Sequence, residues 1–219
     1  MRPIYDDGMI RLYRGDCRYV TAWQSDTHVL VTDPPYGISY KSRQGKHRSI
    51  AGDESTALRD TVLGMWGDRP ALVFGSWRSP RPDGVRVRIV WWKRGNGPGM
   101  GDLSMPWGTS DEEIYVLGRG FRGRRRPNVI VTDTSQSALT RKIGHPTPKP
   151  MPVMTELVEC CPTDWVIADP FAGSGSTLVA AKMLGRRAIG VELEDRYCDI
   201  IIRRLTGQLP VGSWPPPAP

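Results

Sequence analysis

The chain has 219 residues, 39% of them hydrophobic, with 30 lysines and arginines against 23 acids and a net charge of +7. That length and composition suit one large domain with a core of its own, which excludes bulk disorder, and the positive balance favours a polyanionic partner. No run approaches the ~20 apolar residues of a membrane span, the start MRPIYDDGMIRL has no signal core, and Cys17, Cys160, Cys161 and Cys198 with three histidines give no zinc spacing, so the expectation is a cytoplasmic protein with reduced thiols and no metal.

In chain order, short apolar runs that end on a polar or acidic residue predict strands at 9–16, 28–33, 71–77, 85–92, 112–118, 164–169 and 187–193. The runs VLVTD and WVIAD are continuous rather than alternating, as in parallel strands covered on both faces. Helical spacing appears over 150–161, with Met151, Met154, Leu157 and Val158 on one side and Pro162 closing it. A second helix is predicted over 176–184, stopped by Gly185, and a third from Asp195, carrying Tyr197, Ile200, Ile201 and Leu205. Strand–helix alternation at this spacing predicts a Rossmann-like, doubly wound, mostly parallel α/β sheet. The polar stretches 37–53 and 104–144 read as irregular, and residues 210–219 as a Pro-rich tail behind a single domain of 1–209.

ADPFAGSGST is a strand, a glycine turn and a helix start. Gly173 and Gly175 permit a tight turn and close backbone approach to a ligand, and the helix beyond offers free N–H groups. Glu192 ends the next strand, where an acid in such folds takes ribose hydroxyls, so the ligand should contain a ribose. Leu178 stands where GxGxxG needs its third glycine, and no GK[ST] is present, which argues against a dinucleotide site and a P-loop. GRGFRG at 118–123 fits the glycine spacing, but Pro127 blocks the helix that should come next.

The other rigid stretch is LVTDPPYG. Asp33 closes a buried strand, Pro34 and Pro35 remove two donors and fix φ, and Tyr36 supplies a flat face. A carboxylate beside a rigid carbonyl, with no donor, suits a planar ring bearing NH2: adenine or cytosine. Accepting both N–H groups would favour pyramidal nitrogen and aim its lone pair.

TDPPYG together with DPFAGSGST resembles the amino-group S-adenosylmethionine-dependent DNA methyltransferases. GHPTPKPMPVMTELVE resembles the segment that family places before its glycine loop, GRRAIGVELEDRYCDIIIRR the segment it places after that loop, and RLYRGDC the strand before DPPY. The resemblance covers most of 9–93 and 144–206. With DPPY first and FAGSGS last, the order is the circularly permuted one of the family's beta group, on a class I methyltransferase fold with a short target-recognition insertion at about 94–144. Ser176 stands where threonine is more usual.

The resemblance implies that Asp33, Pro34, Pro35 and Tyr36 carry the chemistry on a base flipped out of double-stranded DNA. It implies that Asp169, Phe171, Gly173, Ser174, Gly175 and Thr177 surround the methionine part of S-adenosylmethionine and Glu192 its ribose. Asp16, with Cys17 beside it, would take the adenine, Asp33 would adjoin the cofactor, and Thr147 and Lys149 would approach its carboxylate. Arg43, Lys46 and Arg48 would clamp the DNA backbone, and Arg119, Arg122, Arg124, Arg125 and Arg126 would contact DNA from the recognition segment. Asp in DPPY leans towards adenine N6, with cytosine N4 the alternative; RNA, a protein glutamine or a non-catalytic binding module fit less well. A homodimer is expected of the beta group, and a restriction endonuclease partner is left open.

Overall fold

The computed structural model describes residues 1–39, 51–99, 102 and 104–209; Arg43, Lys46, Arg48 and the Pro-rich tail lie outside the described residues. The elements in order are β1 (Tyr5–Asp6), β2 (Ile10–Arg14), α1 (Ala22–Ser25), β3 (Val29–Thr32), α2 (Ala57–Trp66), β4 (Ala71–Gly75), β5 (Val87–Trp92), β6 (Asp111–Leu117), β7 (Val129–Val131), α3 (Gln136–Ile143), α4 (Met151–Glu159), β8 (Ile167–Asp169), α5 (Ser176–Met183), β9 (Ala188–Glu192) and α6 (Asp195–Leu205). All seven expected strands form, and the three expected helices are α4, α5 and α6. The sequence pattern did not show β1, β7 or α1–α3; of these β1, β7 and α1 are only two, three and four residues long.

Among the described residues the strands form a nine-stranded sheet, order β1-β2-β9-β8-β3-β4-β6-β5-β7. Neighbours from β2 to β4 are parallel. β6 runs antiparallel to both β4 and β5, and β7 is parallel to β5. The carboxyl ends of the parallel strands therefore share one edge, where binding sites of open sheets lie. Because β6 is reversed, its first residues reach that edge and Leu117 reaches the opposite one. Within the stretch 94–144, β6 is hydrogen-bonded on both sides inside the sheet.

Helices cover both faces, which explains the unbroken apolar runs. Val29 and Val31 pack on one side with Leu72, Phe74, Leu157 and Leu178. Leu30 packs on the other with Val73, Ile189, Trp23 and Trp66. Two glycines are required by their backbones. Gly175 caps α5 at φ +75°, and a Cβ there would lie 2.8 Å from Ile201 Cγ1. Gly37 also has φ +75°, and its Cβ would lie 2.7 Å from the Ser55 carbonyl carbon. No helix among the described residues is long and apolar enough to cross a membrane.

Candidate active site

The strand ends open into one cleft of about 840 Å³. On one wall, β8 ends at Asp169, which accepts from the Thr32 hydroxyl at 2.7 Å and from the Phe171 N–H at 3.2 Å. Burial pushes its carboxyl up to about 6 against those bonds. The Thr177 hydroxyl donates to the Val31 carbonyl at 3.3 Å and pins α5 to β3. At the end of β9, Glu192 accepts from the Gly173 N–H at 2.7 Å and the Glu194 N–H at 2.8 Å. Burial raises Glu192 to about 7, because its backbone hydrogen bonds compensate its desolvation only in part. Behind the turn, the buried Arg204 guanidinium donates to the Ser174 carbonyl at 2.5 Å and the Ser176 hydroxyl at 3.1 Å.

Asp16, Cys17, Phe171, Gly173, Ser174, Thr177, Thr147 and Glu192 all line the cleft, as does Asp33. Asp16 is gripped by Arg18, with Nε at 3.0 Å and Nη2 at 2.5 Å, a pairing that the sequence pattern does not reveal. Cys17 is buried and its thiol is pushed up to about 12, first by burial and then by the Asp16 charge. The Thr147 N–H donates to His145 Nδ1 at 3.2 Å, and the His145 ring lies 4.5 Å from that of Tyr197.

On the facing wall, Asp33 follows β3 and Tyr36 turns back over it. The Tyr36 hydroxyl lies 2.7 Å from Asp33 Oδ1 and 2.9 Å from Glu112 Oε2. Lys149, which also lines the cleft, directs Nζ to Asp33 Oδ2 at 2.6 Å and to Glu112 Oε2 at 3.3 Å. The reason is electrostatic: a buried ammonium needs anions, and these two are within reach. Lys93 pairs with the other oxygen of Glu112. Two lysines thus neutralise two carboxylates.

Burial raises the Asp33 carboxyl against the pull of Lys149. Burial also opposes ionisation of Glu112, but Lys149 and then Lys93 outweigh it and hold Glu112 at about 2. Lys149 is raised although burial alone would lower it, since Asp33 and Glu112 prevail. The Tyr36 phenol goes well above its ordinary value through burial and the two carboxylates, so it keeps its proton.

The loop carrying Tyr36 is fixed from outside. The Gly37 N–H donates to buried Asp53 at 2.8 Å, and the Ser79 hydroxyl donates to the Tyr36 carbonyl at 2.5 Å. Glu112, Lys93 and Asp53 were missed from the sequence. The one available signal was the acid pair heading the run EEIYVLG; only the reversed direction of β6 brings Glu112 to the site.

The arginine loop lies elsewhere. Gly118 sits against the Arg69–Pro70 backbone at the start of β4. Phe121 meets Trp165, just before β8, edge-on at 6.0 Å, and Arg126 pairs with Glu156 of α4 at 3.6 Å. Arg119, Arg122, Arg124, Arg125 and Arg126 therefore occupy the end of the sheet opposite the cleft, carried there by β6, and the structure does not bring them to Asp33. Replacing Arg124, Arg125 and Arg126 together by glutamine is expected to leave the salt dependence of specific DNA binding nearly unchanged. Loss of three phosphate contacts would flatten the log K against log salt slope by about 3, and fluorescence titration at several salt concentrations reads the difference.

Sheet order, direction and a glycine-turn cleft at the strand ends define a class I, Rossmann-like methyltransferase fold. Solved structures share it. The M1.HpyAVI–SAM complex superposes with a TM-score of 0.62 at 22% identity, covering 90% of this chain and 100% of that one. The cytosine-N4-specific PvuII DNA methyltransferase gives 0.63 at 16% identity, covering 94% and 96%. The DNA methylase model of the N6/N4 family matches residues 65–203. YubD of Escherichia coli (strain K12), a protein that carries a methylase's name, is 31% identical over 210 residues, 86% of this chain and 87% of its own. The chain belongs to the N6/N4 DNA methylase family.

Proposed function

We propose that this chain transfers the methyl group of S-adenosylmethionine to the exocyclic N6 amine of adenine in duplex DNA. The observation that carries the reading is a single cleft with Asp33 and Tyr36 on one wall and the Gly173 turn and Glu192 on the other. The cofactor fits the groups present. Glu192 is a buried carboxylate whose pKa stays raised although backbone N–H groups donate to it, and vicinal hydroxyls are further donors that would offset its desolvation. Gly173 and Ser174 present backbone close to the same cavity, as a flat ligand edge requires. When bound, S-adenosylmethionine supplies a methyl carbon made electrophilic by its sulfonium.

Asp33 then does three things: it accepts an N–H of the target amine, aims the nitrogen lone pair, and takes the proton that nitrogen sheds as the N–C bond forms. Tyr36 stacks on the ring, worth ~1–3 kcal/mol per base, which offsets the few kcal/mol of unstacking a base recessed this far from the duplex. The duplex meets the rim of the cleft. Trp77, just beyond β4, and Trp107, before β6, are 58% and 79% exposed, while Trp23, Trp66 and Trp91 are buried. Arg78 lies 5.4 Å from the Trp77 ring centre. The catalytic unit is taken as residues 1–209.

A second reading, cytosine N4, is favoured by the likeness to the PvuII enzyme. Incubating the purified chain with labelled S-adenosylmethionine and unmethylated duplex DNA, followed by nucleoside analysis, separates the two. N6-methyladenine is the expected product, N4-methylcytosine supports the second reading, and no label in DNA refutes both.

A further inference from the structure

In this state each oxygen of Asp33 already accepts one hydrogen bond, Oδ2 from Lys149 and Oδ1 from the Tyr36 hydroxyl, and a donor already held makes an oxygen a weaker acceptor for the next. An incoming amine needs one of them. Lys149 is the worse one to give up, because a buried carboxylate without its counter-ion is strongly disfavoured. That leaves Oδ1, and the Tyr36 hydroxyl has one proton for two acceptors: it sits 2.7 Å from Asp33 Oδ1 and 2.9 Å from Glu112 Oε2. Moving that proton from one bond to the other needs rotation about the C–O bond and no shift of a heavy atom.

We propose that Glu112 is a positioning residue that receives the Tyr36 hydroxyl when the target amine docks, so that Asp33 Oδ1 meets the substrate as an unshared, stronger acceptor. Lys93 and Lys149 keep Glu112 charged, which makes it an acceptor able to compete with Asp33. The hydroxyl of Tyr36 is then a rotor between two carboxylates, distinct from the stacking done by its ring. The inference rests on the reading that Asp33 holds the amine.

A double-mutant cycle tests it, with single-turnover methyl transfer and cofactor affinity measured for each protein. Glu112→Gln keeps the shape but weakens the competing acceptor, so the hydroxyl stays on Asp33; the transfer rate is expected to fall about 10–100-fold, the range of one charge-assisted hydrogen bond. Cofactor affinity should stay within about threefold by the same reasoning. Tyr36→Phe keeps the ring and removes the rotor, and its own transfer rate is the reference for the second arm of the cycle. In the Tyr36→Phe background, Glu112→Gln should cost less than about threefold, since no hydroxyl remains to be parked. Equal losses from Glu112→Gln in both backgrounds, or a loss confined to cofactor binding, overturn the proposal. If Asp33→Ala still transfers methyl groups, the underlying reading fails instead, and the two failures are told apart by that one extra protein. Should Glu112→Gln fold poorly, Glu112→Asp serves: its shorter carboxylate recedes from the hydroxyl, and its loss must likewise vanish with Tyr36→Phe.

Discussion

Asp33→Ala is expected to lower methyl transfer by about 10³-fold, combining loss of the proton acceptor with loss of aim on the nitrogen, each of which is worth orders of magnitude. Affinity for S-adenosylmethionine should change little, because the acids and amides of the facing wall are untouched. The fold should survive as well. Lys149 loses its contact at 2.6 Å but keeps Glu112 at 3.3 Å, so no ammonium is stranded. Scintillation counting of transferred methyl groups, calorimetric titration of the cofactor and a melting curve check the three statements separately. A comparable loss of cofactor affinity would mean that Asp33 belongs to the cofactor wall and not to the substrate.

Lys149→Met should be the more damaging change to the fold. The ammonium is buried between Asp33 and Glu112, and removing one partner of such a cluster typically costs about 3–5 kcal/mol because a charge is left uncompensated. For a chain of this size that is roughly a 6–20 °C fall in Tm. The deficit should depend on pH. Without Lys149, burial and then the Glu112 charge act on Asp33 against the Tyr36 hydrogen bond and lift its pKa in the folded chain further above the unfolded value. The penalty is then present where Asp33 is ionised and fades as pH falls through the raised folded value. The gap in Tm between parent and variant is therefore larger at pH 8 than at pH 5. A gap that widens on acidification would contradict the charge assignment.

Much of this was legible in the sequence, for identifiable reasons. The strands bearing Asp33 and Asp169 are continuous apolar runs, and only burial on both faces makes such runs economical. The glycine turn announced itself because Gly175 must adopt a backbone that side chains disfavour. What the sequence hid was pairing direction and partner choice. Glu112 heads a strand like any other until β6 is seen to run backwards. The same reversal removes the arginine loop from the cleft, since a run of charge carries no address of its own. Lys149 was expected to approach the cofactor carboxylate, but nothing in the sequence shows that it also faces Glu112, more than thirty residues earlier in the chain and unassigned.

The pairing of β2 with β9 places residue 10 beside residue 188, and β3 lies against β8 with residue 30 beside residue 168. The cleft is sewn from the first and last thirds of the polypeptide. Closing so wide a loop is thermodynamically mild, since each doubling of length adds only about 0.6 kcal/mol, but it is slow, as contacts remote in sequence are made late. During synthesis the ribosome releases β2, β3 and the proline-locked tyrosine well before their neighbours exist. Until β8 and β9 emerge, a nascent chain therefore exposes two unpaired strand edges and has no working pocket, so chaperone protection should matter most in that interval.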